Sequence, residues 1–425
     1  MYPSVCAAVE RNLQPGNDSR NEFTGFEVIT KETLVNCPSS MMGLSRFELR
    51  LLHFFDDFCV SLFSFNVNER VDKMWRESVP QLFGISPLVR KAVFLFAAIN
   101  MWPLCDVDTL FHSDVRASKL LYNTVPADTG NEDESTTKPF FDMSLKNSKT
   151  DNLFMRTLSY FSDVLSETQR ALTCPRGFSG SSLRAAELVV SGILVYLFLG
   201  LHPHKLVPLL SFQLETKDYD SSCNTDFVAM CRGTQNLFEL GKDNLTKTKF
   251  RVIFFTPEKI PFSVKAQKFA IVERLRKELS SFFADKDDFQ AIEEKEAIDR
   301  AIELLASAFY YSANLKYPIP LFKWPLVLPQ YFDVLLRQKH FFALRLYFQF
   351  ACICTIANFN LYHDTNMWKD FIKWFREYNM KEYGRWFYEF DRSFYDLVIG
   401  KNFRFGYDNF SFLYDLDPLK SEHHY

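Results

Sequence analysis

Apolar residues recur along this chain mostly at helical spacing. Phe47, Leu51, Phe54, Phe58, Leu62 and Phe65 stand three or four apart and predict a helix over 46–66 with one apolar face. Trp75, a short polar step, Val79-Pro80 and Leu82-Phe83 come next. Pro87 then opens a run in which Leu88, Ala92, Leu95, Phe96 and Ile99 predict a helix over 87–101. Leu110, Leu120 and Leu121 place a third helix at 109–123, and two more are expected at 153–172 and 181–201. In the segment His202 to Phe212 (HPHKLVPLLSF), prolines stop one helix and set the entry to the next element. Asp226 to Leu240 reads as helical. Lys249 to Pro257 (KFRVIFFTP) is the one convincing strand-like run, and a single short strand makes no sheet. Long helices at 263–285 and 288–314 precede a proline-rich joint from Tyr317 to Pro329. Helices at 330–336, 339–361, 365–379 and 383–399 complete an all-α reading, with no repeat at a fixed period.

Between these runs the polar stretches set the organisation. Residues 1–45 are polar and turn-rich and read as a flexible leader or linker. Residues 123–152, low in apolar side chains, read as a surface loop inside one large helical domain at 46–418, and 419–425 as a tail. A length of 425 residues is also compatible with two fused domains.

Composition narrows the function classes. The 46 phenylalanines have no polar handle, so they belong in a core, an interface or an apolar cavity. Net charge is −3 with both signs interspersed and no basic stripe, so no direct DNA binding is expected from this chain. The acid-rich stretch Asp285 to Glu303 reads as a solvated helix face and a polar turn. Nine scattered cysteines, no disulfide framework and no basic-then-apolar leader point to a reducing compartment, nucleus or cytoplasm. Ala186 to Leu201 is about one turn short of a spanning helix and carries Glu187. Phe341 to Phe359 is interrupted by Arg345 and Gln349. Both read as helices buried on all sides, and no membrane span is expected.

Candidate chemistry is sparse. His202 and His204 flank a proline with no Cys, Asp or Glu at ligand spacing, and read as exposed or capping. Cys352 and Cys354 would lie about 200° apart around a helix and cannot hold one ion. In His363-Asp364 the aspartate, or Thr365 after it, reads as a helix cap, and Asp56-Asp57 as water-facing carboxylates. There is no G-x-S-x-G, no phosphate-cradling glycine loop and no H-E-x-x-H. No catalytic residue, metal or cofactor is therefore expected.

Three blocks of sequence carry a family resemblance. They are FELRLLHFFDDF with MWRESVPQLFGISPLVRKAVFLFAAINMW, then HPHKLVPLLSF with RGTQNLF, then YPIPLFKWPLVLPQYFDVLL through FDRSFYDLVIGKNFRFGYDNFSFLYDLDP. In this order they resemble the regulatory domain of fungal zinc-cluster transcription factors, in particular the sterol uptake regulators, over residues 46–418. The resemblance implies a non-enzymatic helical sensor with a hydrophobic ligand cavity in its C-terminal half. It also implies two cysteine triplets near the N-terminus holding two zinc ions. Here the first 45 residues hold only Cys6 and Cys37, so no zinc cluster is expected, whether by natural loss or by truncation. Such a chain would act through partners, as a homodimer or as a heterodimer with a full-length homologue.

The expected cavity is placed on two aromatic stripes. Trp368, Phe371, Ile372 and Phe375 fall on one helix face, and Phe387, Phe390, Phe394 and Val398 on the next. Facing stripes either close a core or leave a flat slot for a sterol or other hydrophobic ligand. Trp374, Trp386 and Tyr388 lie partly off the stripes. The candidate ligand-binding residues are Trp368, Phe371, Trp374, Phe387, Phe390 and Phe394. Two other functions stay open, a helical enzyme modifying lipids or isoprenoids and a lipid-binding scaffold. The nearest approach to a metal motif for the former is Asp285-Lys286-Asp287-Asp288.

Overall fold

Capping chemistry written into the chain sets where many of the helices begin. The computed structural model describes residues 43–64, 68–101, 153–173, 181–201, 207–214, 226–254, 269–286, 288–357, 366–404 and 407–419. Helix α1 (Arg46–Phe54) starts behind a reciprocal cap. The Ser45 N–H donates to Glu48 Oε2 at 2.8 Å, and the Glu48 N–H donates to Ser45 Oγ at 3.2 Å. Short helices α2 (Ser61–Ser64), α3 (Glu69–Lys73) and α4 (Val79–Ile85) lead to α5 (Pro87–Met101). There Ser86 Oγ accepts the Val89 N–H at 3.3 Å, and Pro87 occupies a first-turn position where no N–H is needed.

The chain continues through α6 (Leu153–Thr173), α7 (Ser182–Leu201) and α8 (Phe227–Leu245), then α9 (Ala270–Phe282) and α10 (Phe289–Leu315). Asp226 caps α8 by accepting the Ala229 N–H at 2.8 Å, and Asp288 caps α10 through Ala291 at 2.7 Å. The proline-rich joint holds the single turn α11 (Ile319–Phe322) and a 3₁₀ turn, Trp324–Leu326. Beyond it run α12 (Gln330–Arg337), α13 (Phe341–Ala357), α14 (Met367–Tyr383) and α15 (Glu389–Tyr395). Asn366 caps α14, and Gly384 ends it in the left-handed region at φ 68°, a conformation that favours glycine. The described residues are 83% helical with no strand among them, so the fold is all-α.

The chain falls into two units, residues 1–49 and 50–425. Within the second, α5 packs on α6 and α7, α7 on α8, and α13 on α14. At Gly192 of α7 an added Cβ would lie 3.2 Å from Leu237 Cδ1, so the missing side chain lets α8 approach closely. Among the described residues α7 is the one single helix long and apolar enough to cross a membrane. It is 72% buried and packs as a core helix. All 17 residues of α13 are buried, which explains why that helix is apolar on every face. Each of its phenylalanines, once fully buried, contributes on the order of 1.5–3 kcal/mol.

Arg345 and Gln349 interrupt this apolar helix because they bind one partner. Arg345 Nε donates to Asp391 Oδ2 at 2.6 Å, Gln349 Nε2 to Asp391 Oδ1 at 2.9 Å, and Arg345 Nη2 to Glu278 Oε2 at 2.5 Å. The network ties α9, α13 and α15 together.

Three elements differ from expectation. The helix expected over 46–66 contains a π turn at Phe55–Cys59, closed by Val60 N–H to Phe55 O at 3.0 Å. This wider turn rotates the inward face, so Phe55, Cys59 and Phe63 are buried where Phe54, Phe58 and Leu62 were expected. The expected strand is instead a 3₁₀ helix at Lys249–Phe254. With no strand among the described residues to pair with, it forms local turn bonds such as Arg251 N–H to Thr248 O at 3.3 Å. The helix expected over 383–399 begins only at Glu389, because Gly384 turns the chain, and it finishes in a π turn at Asp396–Gly400. The helix expected at 109–123, the loop at 123–152, the leader up to residue 42, the tail from 420, His202, His204, His363 and Asp364 lie outside the described residues.

Candidate ligand cavity

The two aromatic stripes close a core rather than a slot. Trp368, Phe371, Phe390 and Phe394 are buried among other side chains. Phe371 stacks on Trp374 with centroids 5.5 Å apart, and half-buried Trp374 continues onto Tyr378 at 5.4 Å and Phe212 at 5.2 Å. Phe390 lies under the Arg274 guanidinium at 4.7 Å. Phe387, placed off the helix by the Gly384 turn, is 46% exposed and rests on Phe341 at 4.8 Å. Of the six candidates, Trp368 borders a small void. That space is about 10 Å³, shared with Tyr196, Leu197, Gly200, Leu201, Phe227 and Phe322, and has room for roughly one water.

The larger apolar cavity lies elsewhere. It measures about 100 Å³ and is partly open to solvent. Its walls come from α2 (Phe63), α3 (Val71), the π turn Met74–Ser78 that follows it (Trp75), α7 (Ile193, Tyr196, Leu197), α8 (Phe238), the 3₁₀ segment (Val252, Ile253) and the proline-rich joint (Tyr317, Phe322, Lys323). Phe63 and Trp75 stack with centroids 3.8 Å apart and an interplanar angle of 11°, a flat apolar wall backed by Phe96. That stack depends on the π turn at Phe55–Cys59, which turned Phe63 inward.

The polar groups of the lining are mostly consumed within the wall. Tyr196 OH donates to Phe322 O at 2.5 Å and Tyr317 OH donates to Phe63 O at 2.6 Å. Burial pushes both phenols well above their ordinary range, so they remain neutral donors. Asn68 Oδ1 accepts the Val71 N–H at 3.2 Å as the cap of α3. Lys323 is different. Its Nζ donates to Ile253 O at 3.1 Å, and it makes no ion pair among the described residues. No carboxylate stands among the described lining residues. Burial lowers the Lys323 pKa below the ordinary lysine value.

Elsewhere the chemistry is quiet. Cys59, Cys231, Cys352 and Cys354 are buried, and burial pushes each thiol well up, away from the thiolate that nucleophilic work needs. Among the described residues no group of three or more His, Cys, Asp or Glu could hold a metal ion. Asp288 is committed as a helix cap, and Asp287 lies outside the described residues.

Sequence reasoning missed Lys323, Tyr196, Tyr317, Phe63 and Trp75 as a group. One signal was present. Lys323 is the lone charge in the apolar run Tyr317 to Leu328, between Pro320 and Pro325, where a solvated lysine has no evident reason to sit. No protein-family model, curated protein or solved structure matches the chain.

Proposed function

We propose that this chain is a non-enzymatic, transcription-regulator-like sensor that takes a small hydrophobic ligand in the cavity beside Lys323 and acts through partner proteins, in the nucleus or the cytoplasm. The observation that carries this reading is the cavity wall. It is apolar, its hydroxyls are tied to backbone carbonyls, and it is assembled from segments as far apart in sequence as Phe63 and Lys323. An occupant would hold those segments in one arrangement. A ligand shifts an equilibrium between packing states only by the difference in its affinity for them, and a site built from so many separate elements is suited to supply that difference. The family resemblance points the same way and adds the partner, a second copy or a homologue carrying a zinc cluster.

Size bears on the ligand. Ligand pockets commonly begin at about 300 Å³, so a cavity of about 100 Å³ would have to widen roughly threefold to take a whole sterol. A smaller apolar molecule fits with less rearrangement. An enzymatic reading gains little from the lining, whose phenols are engaged with the backbone and whose described residues include no carboxylate to shuttle protons.

Native mass spectrometry of the purified full chain, followed by solvent extraction, tests the proposal. The expected result is a hydrophobic compound released in stoichiometric amount, from a monomer or a dimer. A chain that is empty and takes up no added lipid, fatty acid or sterol would overturn it.

A further inference from the structure

The cavity offers an apolar chamber whose wall holds one cation, Lys323, with no ion pair among the described residues, and that combination selects for a particular ligand chemistry. An ammonium group has three donors. One is spent on Ile253 O at 3.1 Å, and no carboxylate among the described residues takes either of the others. A cation half-buried beside Phe322, Leu326 and Val252 has lost much of its water without gaining a counter-ion. The neighbouring polar side chains are no substitute. Tyr196 and Tyr317 turn their hydroxyls to Phe322 O and Phe63 O, and the Asn68 carbonyl is held by the Val71 N–H. An acidic head group would fill both free donor positions, while its tail would lie against the Phe63–Trp75 stack.

We propose that the ligand is a carboxylate with a short or medium hydrocarbon tail, its head paired with Lys323 and its tail in the chamber formed by Phe63, Trp75, Ile193, Leu197 and Phe238. This rests on the cavity being the ligand site. The chamber sets the tail class. An enclosed apolar space of about 150 Å³ holds benzene, so about 100 Å³ takes the end of a linear chain more readily than fused rings. The sensor would therefore report acyl chains with a free acid and ignore the matching alcohol.

The test measures equilibrium binding of decanoate and decanol to the purified full chain and to Lys323→Met, with Lys323→Arg as a charge-keeping control. A charge-assisted hydrogen bond contributes enough for about a tenfold or greater preference. Wild type is expected to favour decanoate over decanol by at least that factor. Lys323→Met should still bind decanol and lose the preference, whereas Lys323→Arg should keep most of it. Relief of a half-buried charge makes Lys323→Met at least as stable to heat as wild type, and its melting curve verifies that it folds. Equal binding of decanoate and decanol by wild type would overturn the acid-head inference and leave the apolar cavity standing. So would a decanoate preference that survives Lys323→Met. Binding of neither compound by wild type, with nothing extractable from it, would overturn the cavity reading as well.

Discussion

Replacing Arg345 with methionine is expected to cost about 3–5 kcal/mol of folding stability, read as a lower denaturant midpoint. Arg345 is fully buried in α13 and Asp391, its partner on α15, is 1% exposed. Without the guanidinium, Asp391 loses its ion-pair partner and keeps the Gln349 amide at 2.9 Å, with Arg274 the remaining cation acting on it from a distance. Glu278, 17% exposed, reaches water and adds little to the loss. The Arg345 guanidinium also lies 3.8 Å from the Tyr388 ring centre, so its removal empties packed space as well as charge.

Pairing Arg345→Met with Asp391→Leu should recover most of the loss. Burial penalises the charges themselves, and the penalty disappears when both are gone. A double-mutant cycle reads the coupling directly. Burial already pushes the Asp391 carboxyl above its ordinary value, against the pull of Arg345 and Gln349. A carboxyl whose folded-state pKa is raised is penalised at neutral pH, and the penalty lifts as pH falls through that pKa. The deficit of Arg345→Met is accordingly greatest near neutral pH and shrinks on acidification. A deficit that grows on acidification would contradict this account of the network.

Trp324→Ala is the second large effect, with an expected loss of about 3–5 kcal/mol and of ligand binding with it. Trp324 is completely buried, and its indole N–H donates to Ala301 O of α10 at 2.9 Å. Its ring packs on Phe350 at 4.5 Å, Tyr347 at 5.5 Å and Phe332 at 6.3 Å. The Trp324 ring ties the joint to α10, α12 and α13, beside the packing of α11 on α10 and the Leu321 N–H to Ser312 Oγ bond at 3.1 Å. Lys323, the preceding residue, depends on that anchor for its place in the cavity wall. Trp324→Phe keeps much of the ring and loses the hydrogen bond, and is expected to fall between wild type and Trp324→Ala. Urea titrations of the three proteins give the order, and equal midpoints for Trp324→Ala and wild type would remove the joint's proposed anchor.

Much of the helical framework is legible in the sequence because its signals are local. Ser86-Pro87, Asp226 and Asp288 stand at helix starts by the chemistry of unsatisfied N–H groups, whereas the cap expected at Asp364 or Thr365 is supplied by Asn366, whose Oδ1 accepts the Lys369 N–H. The π turn at Phe55–Cys59 leaves no comparable mark. It adds a residue to a turn of backbone, and the apolar spacing on either side is compatible with an unbroken helix. The Lys249–Phe254 segment has the composition of a strand, but a strand is defined by a neighbour that composition does not reveal.

The cavity was illegible for a related reason. Phe63, Tyr196, Ile253 and Lys323 meet only after the helices pack, and their spacing along the chain follows no period. The aromatic stripes on α14 and α15 have a period, and periodicity is chiefly a signature of core. Arg345 and Gln349 were visible as breaks in an apolar run, while their partner Asp391, on another helix, was not.

The central claim is that a hydrophobic ligand sits beside Lys323, between α7 and the proline-rich joint. Ile193→Trp tests it most directly, because Ile193 lines the cavity from α7 without being fully buried. The larger ring would occupy the chamber with a modest effect on the core. Native mass spectrometry of wild type and Ile193→Trp, each incubated with the same decanoate concentration, should show a one-to-one complex for wild type alone. Equal loading of a folded Ile193→Trp variant would place the ligand elsewhere and contradict the account.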